Sequence, residues 1–252
     1  MPRPADPKAR SALIAAARTE FARRGVKGAR ISDITAASGL SKGAFYLHFP
    51  SKEALFAALV EDFVQELERL SLQRVASMDC FRAEHGQPGP ADFATRSERY
   101  CHFLHMEASL DVEMLEFMWD RRELVTTLIV GSQGTPFESV MWDVVDREVD
   151  RIAREFHQLR GQHPDTPDVD PSLFGSFVVG TYLLLARRMG RLTHKPDLAS
   201  WAVGIQRLMH EGTLPREALP RSASVARTPS PPSTRRRHAR AANPHRPPRK
   251  RP

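Results

Sequence analysis

The sequence predicts an all-α fold of about nine helices, and three observations carry that expectation. Apolar residues recur at helical spacing in segment after segment. No segment alternates with the period of two expected of a half-buried strand. Gly, Pro, Ser and Asp punctuate the chain where helices of ordinary length would start and stop.

Taken in order, PKARSALIAAARTEFARRG sets Leu13, Ile14, Ala17 and Phe21 on one helical face, with Gly25 as its stop. ISDITAASG is a second, short helix, with Ile31 and Ile34 one turn apart and Gly39 closing it. LSKGAFYLHF supplies a third, with Ser41 as its N-cap and Pro50 ending it. Ser51 caps a fourth, expected over residues 52 to about 77, and Glu53 in its first turn suits the helix dipole. The polar stretch from about 80 to 92, with Gly86, Pro88, Gly89 and Pro90, reads as a loop. Helical pattern returns near Phe93, runs to about Met106, and resumes from Leu110 to about Val130. After the break GSQGTP comes an amphipathic helix over 137–159, with Val140, Met141, Val144, Val145, Val149, Ile152 and Phe156 inward. Helices over 173–192 and 198–210 complete the set.

Charge is distributed unevenly. Lys and Arg outnumber Asp and Glu ten to four in residues 1–55, fall behind sixteen to twenty-five in 56–214, and lead eleven to one in 215–252. A basic head that meets a polyanion, an acidic body with another task and a basic tail follow from that division. The expected organisation is a DNA-binding head at 1–50, a helical body at 51–214 and a Pro/Arg-rich tail at 215–252 that has almost nothing to bury. The tail is either an additional DNA contact acting through counterion release or a solubilising extension.

Other function classes find little support. The two cysteines, Cys80 and Cys101, form no CxxC and favour a reducing compartment. MPRPADPKAR lacks the apolar core of a secretory signal, and the longest apolar run, FVVGTYLLLA, is too short for a bilayer. A cytoplasmic protein without a membrane partner is therefore expected. GxSxG, HExxH and phosphate-binding glycine loops do not occur, and Asp and Glu look like solvated helical faces, so no enzyme and no cofactor are expected. His102 and His105, with Glu107 nearby, lack an evident third ligand, and no metal is assigned.

The functional weight falls on ISDITAASGLSKGAFYLHFPSKEAL. Two short helices joined at Gly39 make a helix-turn-helix, whose turn calls for a positive φ. Ile31, Ile34, Ala37, Leu40, Phe45 and Phe49 are expected to clamp the pair against the first helix. That leaves Lys42, Gly43, Tyr46 and His48 outward: Lys42 and His48 to reach phosphates, Tyr46 to meet the sugar–phosphate wall or a thymine methyl, Gly43 to let the backbone approach. Lys52, opening the fourth helix, is expected to grip a phosphate as well.

On these residues, 8–55 resemble the TetR/AcrR family of bacterial transcription regulators, over roughly a fifth of the chain. The resemblance implies that Ser41 to His48 form the recognition helix. It implies that Lys42, Gly43, Tyr46, His48 and Lys52 stand where family members touch DNA, and that the remaining chain is a ligand-binding and dimerisation body. The chain departs from the family pattern at four positions. Thr35 and Ser38 replace alanines but stay small. Arg30 stands where a capping Ser or Thr is common, so the second helix starts late at Ser32 or Arg30 contacts a phosphate. Leu47 stands where a polar residue is frequent; it meets a thymine methyl or covers the hairpin, and covering is favoured.

The body yields two further sets of candidates. Phe103, Met106, Leu110, Met114, Phe117, Met118, Trp142 and Val145 are candidates to line a cavity for a small, largely apolar effector, since Met and aromatic side chains make adaptable pockets. The last two helices are the most apolar, and the family implies a four-helix interface between two copies. Its candidates are Phe174, Phe177, Val178, Thr181, Leu185, Trp201, Ile205 and Leu208. The expectation is thus a homodimeric, effector-released repressor of a near-palindromic duplex operator. The alternative is a helical ligand-binding or scaffold protein whose head no longer reads DNA specifically.

Overall fold

The computed structural model describes residues 6–162 and 169–212. Among them are nine α-helices and no strand: α1 (Pro7–Gly28), α2 (Ile31–Ser38), α3 (Lys42–His48), α4 (Lys52–His85), α5 (Pro90–Thr95), α6 (Glu98–Thr126), α7 (Val140–Gln162), α8 (Pro171–Met189) and α9 (Leu198–Glu211). A π-helical turn, Thr127–Gly131, extends α6. All described residues belong to one compact unit that ends at Gly212, so the basic tail lies outside them.

Short polar side chains start most of these helices. Asp6, Ser41, Ser51, Ser97, Asp170 and Asp197 each accept a hydrogen bond from a backbone N–H two or three residues on, satisfying an otherwise orphaned donor. Several boundaries differ from expectation, and α1 itself runs past Gly25, which takes a positive φ of 69°, to Gly28. α4 continues through the polar stretch after Ser77 because Phe81 keeps its inward face, packing on Phe103 at 5.5 Å and on His85 at 4.8 Å. The helix anticipated from Phe93 is cut at Arg96, and Ser97 starts a single α6 that runs through the expected gap at 107–109. Within that gap Glu107 is buried.

One hydrophobic core runs from head to body. Leu13 and Phe21 of α1, Ile34 of α2 and Phe45 of α3 join Phe56 and Phe63 of α4, then Leu115, Phe117, Leu124 and Leu128. Edge-on rings carry it across the junction: Phe21 meets Phe56 at 4.9 Å, and Phe56 meets Phe137 at 4.8 Å. α7 packs along α8, while α6 lies against α8 and α9. No helix among the described residues is long and apolar enough to cross a membrane.

The α7–α8 approach depends on one missing side chain. A Cβ on Gly175 would stand 2.6 Å from the carbonyl oxygen of Val149, a backbone atom that cannot rotate away. Gly175→Ala should therefore force the helices apart and cost about 1–3 kcal/mol. Thermal unfolding of the purified variant should show a midpoint lower by several degrees; an unchanged midpoint would mean that the two helices can separate freely.

Candidate nucleic-acid interface

The α2–α3 hairpin is built as the sequence suggests. Gly39 takes the left-handed conformation, φ 69° and ψ 20°, and the Leu40 N–H returns to the Thr35 carbonyl at 2.9 Å. The Ser41 hydroxyl accepts from the Ala44 N–H at 3.1 Å and fixes the start of α3. Phe45 is fully buried and Phe49 nearly so, and Arg10 of α1 lies over the Phe49 ring at 5.3 Å. Ile31 and Leu40 pack against this core, but Ala37 is exposed and does not help clamp the pair.

The opposite face of α3 is open. Lys42, Gly43, Tyr46 and Leu47 are exposed, while His48 is half-buried beside the Phe49 ring. The side chains of Lys42 and Arg30 make no hydrogen bond or ion pair among the described residues, and both are exposed. Three expectations change here. α2 starts at Ile31, not at Ser32, with Arg30 in the capping position and no side-chain cap. Leu47 does not cover the hairpin: it is 65% exposed, more than Tyr46 at 57%. Lys52 does not project into solvent. Its ammonium donates to the carbonyls of Lys27 at 2.8 Å and Ala29 at 2.9 Å, where the end of α1 presents unpaired acceptors, and so staples α4 to α1.

The body residues divide differently from expectation. Phe103, Leu110, Phe117 and Met118 are buried, and Met106, Met114 and Val145 half-buried. Phe117 stacks on Phe63 at 5.3 Å, and Phe103 meets His210 of α9 at 5.6 Å. Trp142 stands apart: it is 51% exposed. It lines an open hollow of about 500 Å³ with Ile129, Thr135, Glu138 and Ser139, and none of the other seven candidates does.

What sequence reading missed is a buried polar centre between the helices of the body. Asp111 of α6 is fully buried. It accepts from Arg74 of α4, from the Tyr182 hydroxyl of α8, and from the Gln206 amide of α9 at 2.6 Å. Burial, opposed by Arg74 and reinforced by Asp111, pushes the Tyr182 hydroxyl far above its usual pKa, so it stays a donor. One turn earlier on α6, Glu107 meets His210 at 2.6 Å. Beyond it, burial and Glu211 raise the Tyr100 hydroxyl to about 12. Glu107 and Asp111 are not solvated faces. The available signal was their spacing, since both fall on the helical face of Phe103, Leu110 and Met114.

On the last two helices, Leu173, Phe177 and Leu184 form an outward apolar stripe along α8, and Leu208 is exposed on α9. Phe174, Val178, Thr181, Leu185 and Trp201 are half-buried beside it. Phe174 stacks on Phe156 of α7 at 4.3 Å. Ile205 departs from the expected interface set, since it is buried in the chain's own core.

The family model described as "Bacterial regulatory proteins, tetR family" matches residues 13–59, the segment from α1 into α4 that holds this hairpin. The chain is 41% identical over 64 residues to the uncharacterized HTH-type transcriptional regulator YdgC of Bacillus subtilis, covering 25% of this chain and 33% of that relative. It is 45% identical over 49 residues to the HTH-type transcriptional repressor DhaR of a Mycobacterium, covering 19% and 25%. The chain thus matches a third or less of the length of these relatives. Among solved structures, it resembles a Clostridium perfringens protein described as a fatty acid metabolism regulator, with a TM-score of 0.56 and 15% identity, over 81% of this chain and 100% of the other. It also resembles the Bacillus subtilis regulator FadR in complex with stearoyl-CoA, at 0.53 and 15%, over 81% and 99%. Residues 13–59 thus match the tetR family of bacterial regulatory proteins, and the described residues share the all-α fold of these two solved structures.

Proposed function

We propose that this chain is a dimeric, effector-responsive transcriptional regulator that represses by binding a near-palindromic operator. The observation that carries the reading is the outer face of α3. Lys42, Gly43, Tyr46 and Leu47 stand free on a hairpin whose other side is locked by Phe45, Phe49 and a capped turn. A helix held this firmly while its outer face stays unengaged suits insertion into a major groove. Arg30, Ser41 and His48 flank that face and are proposed to contact phosphates or sugars. For Ser41, a backbone contact is compatible with its capping bond.

Palindrome recognition needs a second copy. Leu173, Phe177 and Leu184 form an exposed apolar stripe on α8, and Leu208 is exposed on α9, apolar surface of the kind that two copies cover in one another. Light scattering of the full chain should give a dimer, and Phe177→Glu with Leu184→Glu should give a folded monomer. A double variant that stays dimeric would remove this face from the interface. The effector is proposed to enter among α4, α6 and α7. The stearoyl-CoA held by the similarly folded FadR puts acyl-CoAs first in a thermal-shift screen. The function itself is tested by a mobility shift with the DNA upstream of the chain's own gene at physiological salt. Retarded, competitor-resistant DNA is expected; its absence would favour the scaffold alternative.

A further inference from the structure

We infer that Leu47 is the residue of α3 that reads sequence, by packing on the 5-methyl group of a thymine in each half-site. The inference rests on the DNA-binding reading above and deepens it.

The geometry of α3 carries it. At 3.6 residues per turn, successive side chains are rotated by about 100°. Phe45 and Phe49 point into the core, Ala44 and His48 lie half-buried to one side, and Lys42 and Tyr46 lie to the other. Gly43 and Leu47, one turn apart, then fall on the crest directly opposite the core. Gly43 carries no side chain, so Leu47 alone projects from the crest. It is 65% exposed, and it takes no part in the hydrophobic core of the head.

Whatever α3 enters, Leu47 enters deepest, and its chemistry limits what it can read. An isobutyl group neither donates nor accepts a hydrogen bond. In the major groove G, C and A present only donors and acceptors, while thymine alone adds a methyl group beside its O4 acceptor. Lys42 and Tyr46, off the crest, are placed for the backbone walls. An isolated surface leucine is unremarkable in itself. This one sits at the apex of the face that the fold leaves open, beside a glycine that lets the backbone approach.

The test uses the full-length protein and a duplex that the protein itself selects from a random-sequence library. Each thymine of the selected site is replaced in turn by deoxyuridine, which removes only the methyl. Wild-type and Leu47→Ala proteins are titrated against each duplex, with helicity checked by circular dichroism. One thymine per half-site should stand out. Its replacement should weaken wild-type binding about fourfold, the equivalent of one buried methylene-sized group. Leu47→Ala should bind the thymine and deoxyuridine duplexes alike. The inference is overturned if no deoxyuridine duplex binds wild-type protein more weakly. It is equally overturned if the loss persists in full in Leu47→Ala, since another side chain then touches the methyl. If no sequence is enriched at all, the DNA-binding reading falls and this inference with it; that result is distinct from enrichment without a methyl effect.

Discussion

Tyr46→Ala and Lys42→Ala are each expected to lower affinity for the selected operator about 100-fold or more, with the helical content and the dimer unchanged. Both side chains are exposed, and the one ring contact that Tyr46 makes among the described residues is edge-on with Phe45 at 5.5 Å, so truncation leaves the core of the head filled. A base or backbone contact of this kind is worth roughly 1–3 kcal/mol, and a dimer loses it twice. The two variants should differ in kind. Lys42→Ala removes a cation, so it should also flatten the salt dependence of binding by about one unit of slope per lost phosphate contact. Tyr46→Ala removes a neutral ring, and the slope should stay. Titrations at several salt concentrations, with light scattering on the same samples, read all of this. Unchanged affinity in both variants would defeat the assignment of α3 as the recognition helix.

Asp111→Ala should be the most destabilising single substitution in the body, by about 3–5 kcal/mol, because it strands a largely buried cation. Arg74 would keep its charge with no carboxylate against it, and the Tyr182 hydroxyl and Gln206 amide would lose their acceptor. The joint substitution Arg74→Met with Asp111→Leu should recover much of that loss, since removing both charges also removes the cost of keeping them out of water. Denaturant unfolding of the two single variants and the pair gives the coupling directly. Additive losses would mean that the pair is not electrostatically coupled. The Gln206 side-chain oxygen is buried with no hydrogen-bond partner among the described residues, so the centre keeps one unused acceptor there.

Much of the head was legible because its determinants are local. A Ser hydroxyl reaches only its own N3 amide, Gly39 answers to its own φ, and the i, i+4 pair of Phe45 and Phe49 defines the buried side of α3 without reference to anything distant. The helix count followed from periodicity in the same way. Boundaries failed where polarity was taken for a loop. Phe81 carries α4 past Ser77 on a single aromatic, and α6 runs unbroken through 107–109, where Glu107 is buried against a histidine of α9.

The sequence by itself determined the helix-turn-helix, its caps and the face of α3 turned away from the core, since these depend on spacing within one or two turns. Tertiary structure alone decided three assignments of side chains. Lys52 became a staple because the ends of α1 and α4 meet there. Asp111 became a buried acceptor because four helices converge on it. Leu47 became an exposed apex because no element among the described residues comes close enough to cover it. A side chain's chemistry is written in its residue type, but its burial and partners depend on segments distant in the chain, and those are fixed only when the helices pack.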